Sequence, residues 1–204
     1  MTKIKICGIT NFDDAKNAIN LGADFLGFNF YNKSPRYVDC GKAKDILGSL
    51  AGKTRTVGVF VNEKIDRIEK ISNYCNLDLI QLSGNEMNNI IVKLKKKTDK
   101  KIIKCFHIKD KTDAKNIQNF ECDYLLLDNF RKGFYGGTGQ RFDLDIAENL
   151  DSRKLFLAGG MDKNNVKAAI QKINPYAVDV CSSIESGPGK KDYDLMKNFI
   201  EAVR

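Results

Sequence analysis

The feature that most restricts this chain is an unbroken alternation. Short apolar stretches with strand character recur at Lys3–Cys7, Asp24–Phe30, Thr56–Val61, Leu77–Leu82, Lys101–Phe106, Asp123–Asp128, Lys154–Ala158 and Ala177–Cys181. Between them the apolar period lengthens from two residues to about 3.6. Asn11–Leu21 turns Ala15, Ala18 and Ile19 to one side, and Lys64–Tyr74 does the same with Ile65, Ile68 and Ile71. Lys163–Ile173 and Asp192–Val203 continue the pattern. Thr10 or Asn11 is placed to cap the first helix. Eight β–α units in 204 residues average about 25 residues each, which suits a small closed (β/α)8 TIM barrel with short loops. Thr112–Phe120, after strand five, has a weak helical pattern and implies one shortened helix. A doubly wound open sheet would need edge strands less apolar on one face, and none stands out. No Pro/Ser-rich linker or low-complexity stretch interrupts the pattern, so residues 1–204 read as a single α/β barrel domain.

Composition narrows the function. The six cysteines stand singly, without a Cys-x-x-Cys pair, and there is one histidine, His107. The usual zinc spacings are therefore absent, and no metal or cofactor is expected. A start without a signal-like apolar region and scattered cysteines read as a reduced, cytoplasmic protein. No run approaches the roughly 18 apolar residues of a membrane span. The net charge of +8 is concentrated near Lys93, Lys95, Lys96 and Lys97, with Lys100 and Lys101 close behind. Those lysines fall at the end of an amphipathic helix, where cations suit the dipole, and no aromatic residues are interleaved to stack bases. The expected partner is an anionic small molecule and not nucleic acid; the expected assembly is a monomer or homodimer.

In an α/β barrel, chemistry gathers at the carboxyl ends of the strands. Cys7 stands there, followed by Gly8, which breaks the strand and leaves room above the thiol. The alternative is a buried structural cysteine. Period two puts Lys3, Lys5 and Cys7 on one face, Ile4 and Ile6 on the other, and Asp179 and Cys181 together on the last strand. First and last strands are neighbours in a closed barrel, so a buried Lys5–Asp179 pair is expected, each charge compensating the other.

The segments Lys-Ile-Cys-Gly-Ile-Thr (from Lys5), Ser-Pro-Arg (ending at Arg36), Val-Gly-Val-Phe-Val-Asn (from Val57), Gly-Gly-Thr-Gly (from Gly136) and Pro-Gly-Lys-Lys-Asp (from Pro188) each sit at or after a strand end. In order and spacing, from Lys3 to about Asp192, they resemble the phosphoribosylanthranilate isomerase family of tryptophan biosynthesis. The resemblance implies a cofactor-free Amadori rearrangement of N-(5-phosphoribosyl)anthranilate to 1-(2-carboxyphenylamino)-1-deoxyribulose 5-phosphate. It implies Cys7 as the base that takes the proton from C2 of the sugar, and Asp128 as the acid at the furanose ring oxygen. On residue grounds alone Asp128 reads more readily as a turn or helix cap, with Asn129 beside it. Arg36 is the natural partner of the anthranilate carboxylate, because a guanidinium pairs with it in a fork. Gln81 is placed to bond substrate or other interior groups. The phosphate falls to the last two loops, Gly159 and Gly160 allowing close backbone approach and Ser182 and Ser183 opening a short helical turn.

Three positions depart from the family pattern. Ser83 stands where histidine is usual, Ser183 where glycine is usual, and Leu144 where tryptophan is common. His107 either replaces the missing imidazole or is a loop residue, and the loop is the expectation. A metal-dependent epimerase on the same barrel would need several histidine and carboxylate ligands. The related histidine-pathway sugar isomerase has an acid where Cys7 stands. A binding protein without catalysis would not need Cys7, Asp128 and Arg36 together.

Overall fold

The structure, a computed structural model, describes residues 1–50, 52–108, 117, 119–129, 146–147 and 150–204. The Gly136–Gly139 motif, Leu144 and most of the Thr112–Phe120 segment lie outside these residues. The chain runs β1 (Lys3–Cys7), α1 (Phe12–Leu21), β2 (Phe25–Asn29), α2 (Cys40–Leu50), β3 (Arg55–Phe60), α3 (Ile65–Tyr74), β4 (Leu79–Leu82), α4 (Asn88–Lys95), β5 (Lys101–Ile108), β6 (Tyr124–Asn129), β7 (Leu155–Leu157), α5 (Val166–Ile173), β8 (Ala177–Val180), a small hairpin of β9 (Glu185–Gly187) and β10 (Lys190–Lys191), and α6 (Tyr193–Val203). Strands β1 to β8 pair in sequence order, and β8 closes onto β1. Every pair in this barrel is parallel. Closure excludes the open doubly wound sheet.

Period two sorts the side chains into two cores. Ile4, Ile6, Leu26, Ile80, Ile102 and Leu127 face the helices. Phe25, Val57, Leu79, Ile103, Cys105, Leu126, Phe156 and Ala177 fill the barrel. Asn11 caps α1 by accepting the Asp14 amide at 2.9 Å, and Gly22 ends it in the left-handed conformation at φ 99°. That backbone suits a residue without a Cβ.

The amino-terminal end of the barrel is sealed. Phe25 and Phe156 meet edge to face at 5.3 Å, and Tyr124 stacks on Tyr176 at 5.0 Å. Asp24, Asp78 and Asp123 each precede a strand and accept the amides of Ile4, Thr56 and Ile102 at 2.9, 2.7 and 3.0 Å. Each carboxylate thus satisfies a strand-initial N–H of the neighbouring strand that the ladder leaves open. A groove of about 660 Å³ runs across this end, past Asp24, Arg55 and Asp78. In α/β barrels this face carries stability, and chemistry belongs to the opposite one.

Four lysines of the basic run are held locally. Lys97 bonds Asp66 at 2.5 Å, Lys95 and Lys101 pair with Asp123, and Lys100 reaches the Leu77 carbonyl.

Candidate active site

Lys5 and Asp179 are opposite each other in the β1–β8 register. The Lys5 ammonium donates to Asp179 Oδ1 at 2.9 Å inside the barrel. Burial opposes the charge on Lys5, and Asp179 together with the Cys7 thiolate outweighs it, so the lysine is held protonated. Burial pushes Asp179 up to about 7 against the pull of Lys5, with Cys7 and Asp128 adding to the push. The expected interior pair is present and forms the floor under the cysteine.

Cys7 ends β1 half-buried, as a free thiol. The room it occupies is made mainly by Gly27 on the next strand, where a Cβ would lie 2.9 Å from the sulfur and 3.3 Å from Lys5 Nζ. Gly8, at φ 77°, clears space for two other groups. A Cβ there would lie 2.7 Å from Arg36 Cδ and 3.0 Å from the Cys181 sulfur. The Cys7 pKa is lowered well below the ordinary thiol range. A hydrogen bond from the Cys181 thiol is the largest cause; burial opposes it, and the charges of Lys5 and Lys191 add to it. Cys181 moves the opposite way and stays a thiol, since it is the donor.

Asp128 lies in β6, buried, facing His107 in the β5–β6 register. One cavity of about 70 Å³ is lined by Cys7, Arg36, Gln81, Ser83, His107 and Asp128 among others. A second, of about 40 Å³, joins Gly159, Gly160, Ser182 and Ser183. Asp128, Asp179 and Cys181 line both. All eight residues singled out in the sequence therefore meet at one end of the barrel.

Arg36 is anchored. Its Nε lies 2.9 and 3.1 Å from the two Glu185 oxygens, and Nη2 donates at 2.7 Å. Its other edge, Nη1, makes no hydrogen bond among the described residues. The loop is set by Ser34, whose hydroxyl accepts the Arg36 amide and an Asn29 side-chain N–H, each at 3.1 Å. Glu185 also accepts from Lys191 Nζ at 2.8 Å. Burial alone would raise the Glu185 carboxyl, but hydrogen bonding from Arg36 and the charge of Lys191 hold it below its usual range. Neither Glu185 nor Lys191 was assigned from sequence. The Pro-Gly-Lys-Lys-Asp segment gives no sign that its second lysine turns inward.

Gln81 Nε2 donates to Ser83 Oγ at 3.0 Å. Its buried Oε1 has no hydrogen-bond partner among the described residues. The Ser83–Gly84 turn is braced from outside by a buried ion pair, Lys104 Nζ to Glu86 Oε2 at 2.8 Å. His107 corrects the expectation of a loop residue. β5 runs two residues past Phe106, and the inward alternation Ile103, Cys105, His107 continues to the mouth. Its Nε2 lies 3.2 Å from the Ser83 carbonyl oxygen.

The two glycines of the last cavity, Gly159 at φ 79° and Gly160 at φ 71°, occupy the left-handed region. Asn165 fixes this loop by donating to the Gly160 carbonyl at 2.8 Å. Ser182–Ile184 forms a 3-10 turn. The Ser183 hydroxyl donates to the Met161 carbonyl at 2.5 Å, tying the two loops together.

A thiol and carboxylates at the carboxyl ends of barrel strands, beside a glycine-lined hollow, define the class: a (β/α)8-barrel acid–base isomerase. The family follows from comparison with known proteins. The chain belongs to the N-(5'-phosphoribosyl)anthranilate (PRA) isomerase family, whose model matches residues 4–202. It is 40% identical over 206 residues to the N-(5'-phosphoribosyl)anthranilate isomerase of Trichlorobacter lovleyi, covering 100% of this chain and 98% of that one. Its structure matches crystalline phosphoribosyl anthranilate isomerase from Thermotoga maritima with a TM-score of 0.92 at 36% identity, covering 100% and 98% of the two chains. It also matches a phosphoribosyl anthranilate isomerase in complex with reduced 1-(o-carboxyphenylamino)-1-deoxyribulose 5-phosphate, with a TM-score of 0.86 at 35% identity and the same coverage.

Proposed function

We propose that residues 1–204 form one barrel domain that converts N-(5'-phosphoribosyl)anthranilate to 1-(2-carboxyphenylamino)-1-deoxyribulose 5-phosphate, with Cys7 as base and Asp128 as acid. Family membership over nearly the whole chain carries the reaction. The assignment of roles is supported by one observation above all: Cys7 and Asp128 line one cavity, in which the Cys7 pKa is lowered well below the ordinary thiol range. Asp128 gives a proton to the ring oxygen as the bond from that oxygen to C1 breaks, and the nitrogen lone pair forms the C=N bond. Cys7 then takes the proton from C2, the C2–H electron pair forms the C1=C2 bond of an enolamine, and the C=N pair returns to nitrogen. C1 gains a proton and the C2 hydroxyl loses one, which gives the ketone.

Arg36 takes the anthranilate carboxylate on its free edge, and Glu185 and Lys191 fix the guanidinium. Fixing it in advance lowers the ordering cost of binding. Gln81 offers its open oxygen to a sugar hydroxyl. The phosphate rests on the backbone between Gly159-Gly160 and Ser182-Ser183. Cys7 and Cys181 must remain unoxidised, which suits a reducing cytoplasm. No helix among the described residues is long and apolar enough to cross a membrane. The test of the reaction is turnover of N-(5'-phosphoribosyl)anthranilate followed by loss of its fluorescence. No turnover above the uncatalysed rate would refute it.

Arg36→Met is expected to raise KM roughly ten- to hundredfold, the equivalent of about 1.5–3 kcal/mol for hydrogen bonds to a charge, with a smaller effect on kcat. Inhibition by benzoate-bearing product analogues weakens in parallel; unchanged affinity for them would place Arg36 outside the site. Gly160→Val puts a β-branched residue at positive φ and a side chain over the phosphate. KM should rise while the pH profile of kcat stays put, and a normal KM would remove the cradle from this account. Cys181→Ala takes the main hydrogen bond from Cys7. The thiolate then needs a higher pH to form, so the acid limb of the kcat/KM profile moves upward and activity is lost first at low pH. An unmoved limb would show that Cys181 does not set the state of Cys7.

A further inference from the structure

Cys105 takes no part in the reaction described above, yet it lies beside the site. It and His107 are two residues apart on the inward face of β5. Asp128 on β6 is opposite His107 in register. A Cys105 sulfur, a His107 ring nitrogen and an Asp128 carboxylate oxygen all lie within 4.8 Å of one another, and the sulfur is 3.9 Å from Nε2. We propose that these three side chains bind a thiophilic divalent cation of the zinc class, and that its binding inhibits the isomerase.

Backbone register brings the ligands together. Same-face neighbours on a strand and a residue paired across to the next strand are fixed by the ladder. Zinc bonds of roughly 2.3 Å to sulfur and 2.0–2.2 Å to nitrogen and oxygen would separate tetrahedral ligand atoms by roughly 3.3–3.6 Å. The observed separations, 3.9 Å between the sulfur and Nε2 and no more than 4.8 Å for any pair, exceed that spacing, so the ligands draw together on binding. A thiolate, an imidazole and a carboxylate favour zinc over magnesium or calcium, which prefer oxygen alone. Three protein ligands leave a fourth position, and here it opens on the cavity lined by Cys7, Gln81 and Ser83. The cation replaces the Cys105 thiol proton, which leaves to solvent. Sequence spacing gave no sign of such a site, because its ligands come from two strands and one pair is separated by a single residue. Inhibition rests on the proposed role of Asp128, since a metal-bound carboxylate has no proton to give; binding does not rest on it.

The test is titration of the purified protein with Co2+ as a spectroscopic probe, then with Zn2+. One equivalent of cobalt should give a thiolate-to-cobalt charge-transfer band that zinc abolishes, and zinc should stop turnover. Cys105→Ala should keep metal-free turnover, lose the band, and need at least about tenfold more zinc for half-inhibition, a loss seen even for outer-shell changes at zinc sites. His107→Gln, read by cobalt spectrum alone, serves if the alanine variant folds poorly. A parent protein without the band overturns the site, as does a band that survives in both variants, which would put the metal on Cys7 and Cys181. A cation bound in the parent with turnover untouched overturns the inhibition and leaves the spectrum to stand for binding.

Discussion

Cys7→Ser is expected to cut kcat by a factor on the order of a hundred to ten thousand, the usual cost of losing a general base. The surroundings of Cys7 are arranged for a sulfur anion. Cys181 donates to it, Lys5 and Lys191 lie close, and its pKa is well below that of an ordinary thiol. A serine hydroxyl in the same place stays protonated near neutral pH. Gly27 leaves space for the smaller oxygen, so the fold should be kept. KM should change little, because Cys7 is not asked to hold the substrate. Near-normal kcat in this variant would remove Cys7 from the chemistry.

Asp128→Asn is expected to lower kcat by a similar factor, on the order of a hundred to ten thousand. The amide fills the same volume and cannot donate an acid proton to the ring oxygen. Asp128 is buried in β6 and lines both cavities at the mouth. If its task were only to cap a turn, asparagine would be a fair substitute and turnover would survive. Measuring thermal stability beside the rate separates the two. A folded, inactive variant supports the acid, and a folded, active one refutes it.

The barrel was legible because its signal repeats. Eight strands each alternate, and closure follows from having eight β–α units with no edge strand to leave open. The Lys5–Asp179 pair was legible for the same reason, since period two on neighbouring strands leaves both side chains inside. His107 differs from expectation because the apolar stretch of β5 ends at Phe106 and the next residue is polar. Polar residues are what a barrel strand carries when it reaches the mouth, and the alternation continues two residues further, to Ile108. Glu185 and Lys191 were missed for a different reason. Glu185 pairs with Arg36 and is itself held by Lys191, which joins the loop after β2 to the hairpin of β9 and β10, and no local period encodes a meeting between loops. Ser183 is expected from sequence only to open the turn at the phosphate, in a place where glycine is usual. Its hydroxyl instead bonds the Met161 carbonyl, so that the residue joins the two loops flanking the hollow.

The most direct test of the site is a crystal structure of this protein with reduced 1-(o-carboxyphenylamino)-1-deoxyribulose 5-phosphate. The expected complex has the phosphate on the backbone of Gly159-Gly160 and Ser182-Ser183, and the carboxylate on the free edge of Arg36. Cys7 and Asp128 should flank the sugar carbons, with Cys7 Sγ within about 3.5 Å of C2, the reach of a group poised to react. An analogue seated elsewhere at the mouth, with the glycine hollow empty and C2 turned away from Cys7, would contradict the account.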